Sequence, residues 1–169
     1  MPQSDTIRVG IGYDVHGFAP PDAGRPLIIG GIVVPNDRGL AGHSDADVLI
    51  HAVVDALLGA AALGDIGMHF PSSDLRWKDA PSVAFLTYTL ELVRAQGWEV
   101  GNVDATVVAE RPRLSPHIPA IRAHIAEVMS VSADRVSVKS KTTDGLGFTG
   151  RSEGIACHAI ALLIRHTEA

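Results

Sequence analysis

From Ile7 to Gly12 apolar residues alternate with small or polar ones, the two-residue period of a strand. Leu27-Ile28-Ile29 and Ile32-Val33-Val34 flank Gly30-Gly31, a dipeptide suited to the tight primed turn of a hairpin. A longer pattern of helical period runs from about Asp45 to Ala62, and Leu63-Gly64-Asp65-Ile66-Gly67 closes it with a glycine where a left-handed C-terminal residue is wanted. Asp65 then begins a loop that continues through Phe70 and Asp74 to Ala80-Pro81, long enough for a functional flap and equally for a solvated connection. Pro81 suits the first turn of a second helix, Ser82 to Gln96, in which Val83, Leu86, Leu90 and Val93 form one apolar stripe for packing. Asn102 to Ala109 reads as a strand, Pro119 to Val128 as a third helix, and Val136 to Lys141 and Ile155 to Ile164 as the last two strands. The final strand is apolar on both faces, so both should be covered, one of them by another subunit. The order strand, hairpin, helix, helix, strand, helix, strand, strand predicts an α/β fold of α+β sandwich type, a mixed sheet with helices on one face.

With 169 residues, 46% of them hydrophobic and 20% charged, the chain can bury one sizeable core, and no stretch reads as a linker between domains. One domain over residues 1–169 is expected, with 1–6 disordered or extended. A net charge of −5 speaks against general affinity for nucleic acid, while leaving room for a local group of arginines and lysines that holds a small anion. The single cysteine, Cys157, excludes an intrachain disulfide and fits a reducing compartment. The N-terminal residues show no basic segment followed by an apolar one, and His51 and Asp55 interrupt Val48 to Leu63 before that run could span a bilayer. A cytoplasmic protein without membrane contact is expected.

The candidate chemistry gathers at Gly42 to His51, where two histidines and two aspartates open the longest helical pattern. Ser44 is the expected N-cap, with Asp47 reaching back three residues on, so the helix should start near Asp45. Asp47 and His51 then share a face one turn apart, and His43 lies before the cap beside the positive end of the dipole, an arrangement for a metal and an anion together. The same residues also read as a hydrogen-bonded core histidine and two acids matched to the helix dipole, and this stretch taken alone favours that plainer reading. Ser44 sits in a Gly-x-Ser-x-Ala string that lacks the preceding strand and second small residue of a hydrolase nucleophile elbow. On the first strand Asp14 and His16 point the same way, and carboxylate with imidazole suits zinc or a similar ion. Gly10-x-Gly12 is not a dinucleotide fingerprint, because Val15 occupies the place of the third glycine and no helix follows at once. Two strand exits complete the set. Glu110 to Pro116 carries Arg111 and Arg113 on a proline-stiffened loop, and the glycines of Thr142 to Gly154 let backbone amides approach an anion.

Five ordered stretches taken together resemble the 2-C-methyl-D-erythritol 2,4-cyclodiphosphate synthases: G-Y-D-V-H at Gly12 to His16, I-I-G-G at Ile28 to Gly31, H-S-D-A-D-V-L-I-H at His43 to His51, D-A-L-L-G-A-A-A-L-G-D-I-G at Asp55 to Gly67, and L-G-F-T-G-R-S-E-G-I-A at Leu146 to Ala156. The likeness extends from Ile7 to about Arg165. It implies a phosphorus-oxygen lyase of non-mevalonate isoprenoid synthesis that closes 4-diphosphocytidyl-2-C-methyl-D-erythritol 2-phosphate into the cyclic diphosphate and releases CMP. By the same likeness the zinc ligands fall on Asp14, His16 and His51, and Asp47 keeps its cap role. His43 and Thr142 would polarise the phosphates, and Ser44 with His43 would hold the diphosphate. Asp65 and Gly67 would bind hydroxyls, Phe70 would form the flap, and Ser72, Asp74, Lys141 and Thr143 would complete the substrate contacts. Ala109, Arg113, Leu114 and Ser115 resemble the cytidine pocket. Asp144 matches the carboxylate that holds a second metal, magnesium or manganese. The likeness further implies a homotrimer with sheets around a three-fold axis, and an isoprenoid diphosphate at Phe148 and Arg151 in a central cavity. Three copies of Arg151 near one axis would repel, and Glu153 either neutralises them across the interface when that site is empty or forms with Arg151 a structural ion pair that holds the trimer.

The chain departs from the family pattern at three places, with Asp144 for Glu, Ser72 for Asp and Arg113 for Lys. None touches the zinc set. A metal-dependent phosphohydrolase would use the same three ligands with an activated water and release inorganic phosphate, and a non-catalytic trimeric binding module would need no metal at all.

Overall fold

The computed structural model describes residues 6–165, so all but the last residue of the 1–6 segment lies outside the described residues. In chain order the elements are β1 (Ile7–Gly17), the hairpin β2 (Leu27–Ile29) and β3 (Ile32–Val34), α1 (Val48–Ala61), the single turn α2 (Ile66–His69), α3 (Ser82–Ala95), β4 (Trp98–Val108), α4 (Ile118–Met129), β5 (Val136–Lys141), the single turn α5 (Gly147–Gly150) and β6 (Gly154–Arg165). Four strands form one sheet in the order β1-β6-β4-β5. The sheet is mixed, because β6 runs antiparallel to both neighbours whereas β4 and β5 are parallel. Thr6, the first described residue, accepts a backbone hydrogen bond from Arg165 at 3.0 Å.

Helix α1 is the centre of the core. Only Asp55 and Gly59 of its residues escape full burial, because β1 and β6 cover one side and α3 the other. Such a helix is apolar all round, which explains why its sequence shows a continuous run in place of a stripe. It lies unusually close to β1: a methyl group on Gly10 or Gly12 would collide with the carbonyl oxygens of Ala56 and Ala52.

The start of α1 differs from the sequence expectation. The N-cap is Asp47, whose carboxylate accepts from Leu49 N at 3.2 Å and Ile50 N at 3.1 Å, and the helix begins three residues later than expected. Ser44 is drawn elsewhere, its Oγ accepting from Ala46 N at 3.2 Å while facing His51, and Ala46 turns the chain in a left-handed conformation with φ 59°. The same carboxylate accepts from Gly30 N at 2.9 Å and Gly31 N at 2.6 Å, so it ties the hairpin to the helix. Those glycines have φ of 62° and 76°, the pair of positive angles a type I′ turn requires. At the other end Ala62, not a glycine, takes the left-handed cap position, with φ 58°. Strand β4 begins four residues earlier than the alternation suggests, because a bulge at Gly101 breaks the period between Val100 and Asn102.

The helices lie on one face of the sheet, and within the chain the other face is bare. Ile7, Val9, Ile11, Tyr13 and Val15 of β1 and Ile160 of β6 are exposed there, while Ile155, Cys157, Ala159, Ala161 and Leu163 are buried under the helices. The coverage expected on both faces is thus supplied by this chain on one only. No helix of the described residues is long and apolar enough to cross a membrane.

Candidate metal centre

Strand β1 delivers Asp14 and His16 to the helix side of the sheet, since residues two apart on a strand share a face. His51 meets them from the first turn of α1. Asp14 Oδ2 lies 2.9 Å from His16 Nε2 and 3.0 Å from His51 Nδ1, and the two ring nitrogens are 3.1 Å apart. Among the described residues this is the group of His, Cys, Asp and Glu side chains able to hold a metal ion. Asp47, which spacing alone left as a partner for His51, faces the hairpin. Burial pushes its carboxyl up to about 6 against the pull of the Gly31, Gly30 and Ile50 amides.

Three acceptor atoms at such separations repel one another unless protons or a cation lie between them. Without an ion, protons serve. Burial acts to raise the Asp14 carboxyl, yet hydrogen bonds from His16 and His51, and the charges of both rings, hold it far below the usual carboxylate range. Burial acts to lower His16, yet Asp14 and the Ala41 carbonyl raise it above the ordinary imidazole value. Donor atoms around a tetrahedral zinc lie roughly 3.3 Å apart, given bonds of about 2.0–2.1 Å, so the triangle needs to open by only a few tenths of an ångström. His16 Nδ1 lies 2.8 Å from Ala41 O and can donate to it, which leaves Nε2 as the free ligand atom. The residues therefore fit a divalent ion with three protein ligands and an open position. Cys157 does not join them, because burial pushes its thiol well above the ordinary range.

The triangle forms part of the wall of a pocket of about 300 Å³, lined also by His43, Ser44, Ile66, Gly67, Phe70, Ser72, Trp77 and Phe85. Phe70 is 7% exposed and stacks on Phe85 with ring centres 4.5 Å apart, which anchors it in the pocket wall. Asp65 caps α2 through Met68 N at 2.9 Å, and Asp74 is engaged by Arg76 at 2.6 Å, while the Asp74 carbonyl lies 3.3 Å from His43 Nε2. A separate cavity of about 440 Å³ lies at the exits of β4 and β5, lined by Ala109 to Ser115, Ser140, Lys141 and Thr142. Within one chain Thr142 thus belongs to a different cavity from His43. Both lie at one end of the sheet, where Asp14 is level with Cys157 and Val107, roughly 10 Å across two strand spacings. Thr142 Oγ1 donates to Asp144 Oδ1 at 3.1 Å, and Thr143 and Thr149 hydroxyls pair at 3.1 Å beside it. Phe148 is exposed, and within the chain Arg151 pairs with Glu153, with Nε at 2.7 Å from Oε1.

Two residues of the centre escaped sequence reasoning. Ser82, fully buried at the start of α3, places its Oγ 2.8 Å from His51 Nε2, and Asp45 holds Ser82 through both its backbone amide and its hydroxyl. A helix read as packing alone thus faces the candidate metal ligands. The one available signal was Pro81-Ser82 at a helix start, which does not say where the hydroxyl points.

The model of the YgbB family matches residues 7–164. A 2-C-methyl-D-erythritol 2,4-cyclodiphosphate synthase of Salinibacter ruber is 59% identical over 153 residues, 90% of this chain and 96% of that protein. Among solved structures, a bifunctional IspDF from Campylobacter jejuni superposes with a TM-score of 0.89 at 40% identity over 94% of this chain, which spans only 42% of that larger protein. An IspF of Plasmodium falciparum in complex with CDP gives a TM-score of 0.84 at 34% identity, covering 98% of this chain and all of the other.

Proposed function

The chain belongs to the YgbB family, and on that premise we propose that it is a 2-C-methyl-D-erythritol 2,4-cyclodiphosphate synthase of the non-mevalonate route, working in the cytoplasm. A 2-phosphate oxygen of the cytidyl substrate bonds to the β-phosphorus, the bond from that phosphorus to the oxygen bridging the two phosphates breaks, and CMP departs with that oxygen. No proton need be removed from a phosphate already ionised near neutral pH, so alignment and charge neutralisation supply the catalysis. The observation that carries this reading is the Asp14, His16 and His51 triangle in the wall of a pocket that also holds His43 and Ser44.

A divalent ion held by the triangle, zinc by its donor set, supplies Lewis-acid neutralisation of the diphosphate. The chain supplies the rest. His43 and the Ser44 hydroxyl donate to phosphate oxygens, Asp65, Gly67, Ser72 and Asp74 border the methylerythritol, and Phe70 with Phe85 and Trp77 keeps water from that wall. The Ala109, Arg113, Leu114 and Ser115 loop takes the cytidine, and the Plasmodium relative's CDP complex supports a ligand of that class. Lys141, Thr142 and Thr143 face its phosphates, and Asp144 is the carboxylate for magnesium or manganese.

The separation of His43 from Thr142 within one chain, and the bare apolar face on β1 and β6, support a homotrimer whose active sites lie between subunits. Phe148 and Arg151 then stand at the mouth of a central cavity suited to an isoprenoid diphosphate. Phosphorus NMR of the protein with the cytidyl substrate and magnesium tests the main reading. CMP and a cyclic diphosphate in equal amounts are expected, whereas inorganic phosphate would mark a phosphohydrolase and overturn it. Sedimentation tests the assembly, for which a monomer is the contrary result.

A further inference from the structure

His51 can serve a metal through Nδ1 only if its proton resides on Nε2, and the groups behind the ring decide where it resides. Nε2 lies 2.8 Å from Ser82 Oγ and 3.2 Å from Ser44 Oγ. A serine hydroxyl has one proton to give. Ser82 gives its proton to Asp45 Oδ1, which can only accept: Oδ1 also receives Asp47 N at 3.2 Å, and Oδ2 receives Ser82 N at 3.0 Å. With its own proton so committed, Ser82 Oγ turns a lone pair to His51, and Nε2 must be the donor. The ring end of the arrangement is buried, with Ser82 fully so and Ser44 5% and His51 8% exposed, while Asp45 at its outer end is half-buried. Phe85 stacks beside the ring with centres 5.9 Å apart and limits its rotation.

We propose that Asp45 and Ser82 are positioning residues for the metal centre, a carboxylate-hydroxyl relay that fixes the His51 tautomer and aims its Nδ1 lone pair into the triangle with Asp14 and His16. Neither residue touches the ion or the substrate. The relay spans three segments, the loop before α1, α1 itself and the start of α3, so the alignment of α3 sets the quality of the metal site. It also gives Ser44 a second task. A share of the Nε2 proton, together with the Ala46 amide at 3.2 Å, occupies Ser44 Oγ as an acceptor, and its own hydroxyl proton is left to point into the pocket. The inference rests on the metal reading of the preceding section, and its test separates the two.

Nitrogen-15 NMR of histidine-labelled, metal-free protein, raised in pH until the His51 ring holds a single proton, reads the tautomer directly, and chelator competition reads zinc affinity. Wild type is expected to show His51 protonated at Nε2, and Ser82→Ala and Asp45→Asn to show a mixture of tautomers with zinc affinity lowered about 10–100-fold, the usual effect of losing such a partner. A metal-free melting temperature measured alongside distinguishes loss of aim from general loosening, because Asp45→Asn keeps the shape of the side chain. If Ser82→Ala does not fold, Asp45→Asn decides. A wild-type tautomer in folded Asp45→Asn, or zinc affinity within twofold of wild type, overturns the relay. Wild-type protein that binds no divalent ion would overturn the metal reading itself, while the tautomer measurement would still report on Ser82 and Asp45.

Discussion

Two aspartates meet the first turn of α1 and end in opposite conditions. Asp47 faces four backbone amides, all donors that cannot leave, and burial still pushes its carboxyl up. Asp14 faces two imidazoles whose protons can leave, and those partners hold its carboxyl down. A carboxylate saturated by amides is closed to a metal, because an ion would have to displace hydrogen bonds that hold backbone together. One saturated by exchangeable protons is already arranged as a cation would want it, and binding exchanges protons for the ion. The difference between a structural acid and a ligand therefore lies in the kind of donor and in access, since Asp47 is fully buried whereas Asp14 faces the pocket with part of its side chain exposed.

The sharpest test of the contrast removes the histidine. His51→Ala is expected to lose bound zinc and to lower turnover by about a thousandfold or more, equivalent to roughly 4 kcal/mol of barrier, while the unfolding midpoint in urea stays near wild type. Metal analysis with a steady-state assay checks this, and full zinc in the variant would remove the triangle from the mechanism. Asp47→Ala should do the reverse. Stranding four amides at the hairpin and helix start is expected to cost about 3 kcal/mol of stability, read from urea unfolding, with zinc still bound by the folded fraction.

A pH comparison sharpens the contrast further. The folded-state value of Asp47, about 6, exceeds its ordinary 3.8, so its contribution to stability is full below 3.8 and is lost as pH rises through 6. Relative to Asp47→Asn, metal-free wild type should gain about 1 kcal/mol between pH 7 and pH 5. Taking the difference cancels His16, which is raised and acts in the same direction. Asp14 has the other sign. Its contribution is present above 3.8 and is lost only as pH falls through its depressed folded value, outside that window. A difference between the two proteins that is flat from pH 7 to 5 would mean that the amides hold Asp47 ionised throughout. The smallest effect is expected at Asp144→Ala, with zinc unchanged and the magnesium requirement of turnover raised several-fold, seen in a magnesium titration. A titration curve identical to wild type would place the second ion elsewhere.

Much of this molecule is written in local pattern. The hairpin was legible to the residue, because Gly30-Gly31 between two apolar triplets admits little else, and Asp14 with His16 was legible because a two-residue period aims both side chains together. The start of α1 was not. Ser44 satisfies every local rule for a cap, and it lost that role to contacts from segments 7 and 38 residues away in sequence, His51 and Ser82, with Asp45 between them. Choosing between Asp47 and Asp14 as partner of His51 likewise required the hairpin amides, which spacing along a helix cannot reveal. The family resemblance named Asp14, the residue the structure groups with His16 and His51, without showing why. The mutual packing of Phe70, Trp77 and Phe85 was equally out of reach of local pattern, because the three rings come from separate segments.

The absence of side chains at Gly10 and Gly12 acts as the gauge of the whole active centre. Two of the candidate metal ligands ride on β1 and the third on α1, so the distance between strand and helix sets whether their atoms can converge on one ion. Where a Cβ at either glycine would strike the backbone of α1, a single added methyl must lift the helix and move His51 bodily away from Asp14. These two positions touch no substrate and carry no chemistry. They nonetheless leave this scaffold little tolerance for redesign, and any attempt to resize the ligand triangle would begin there.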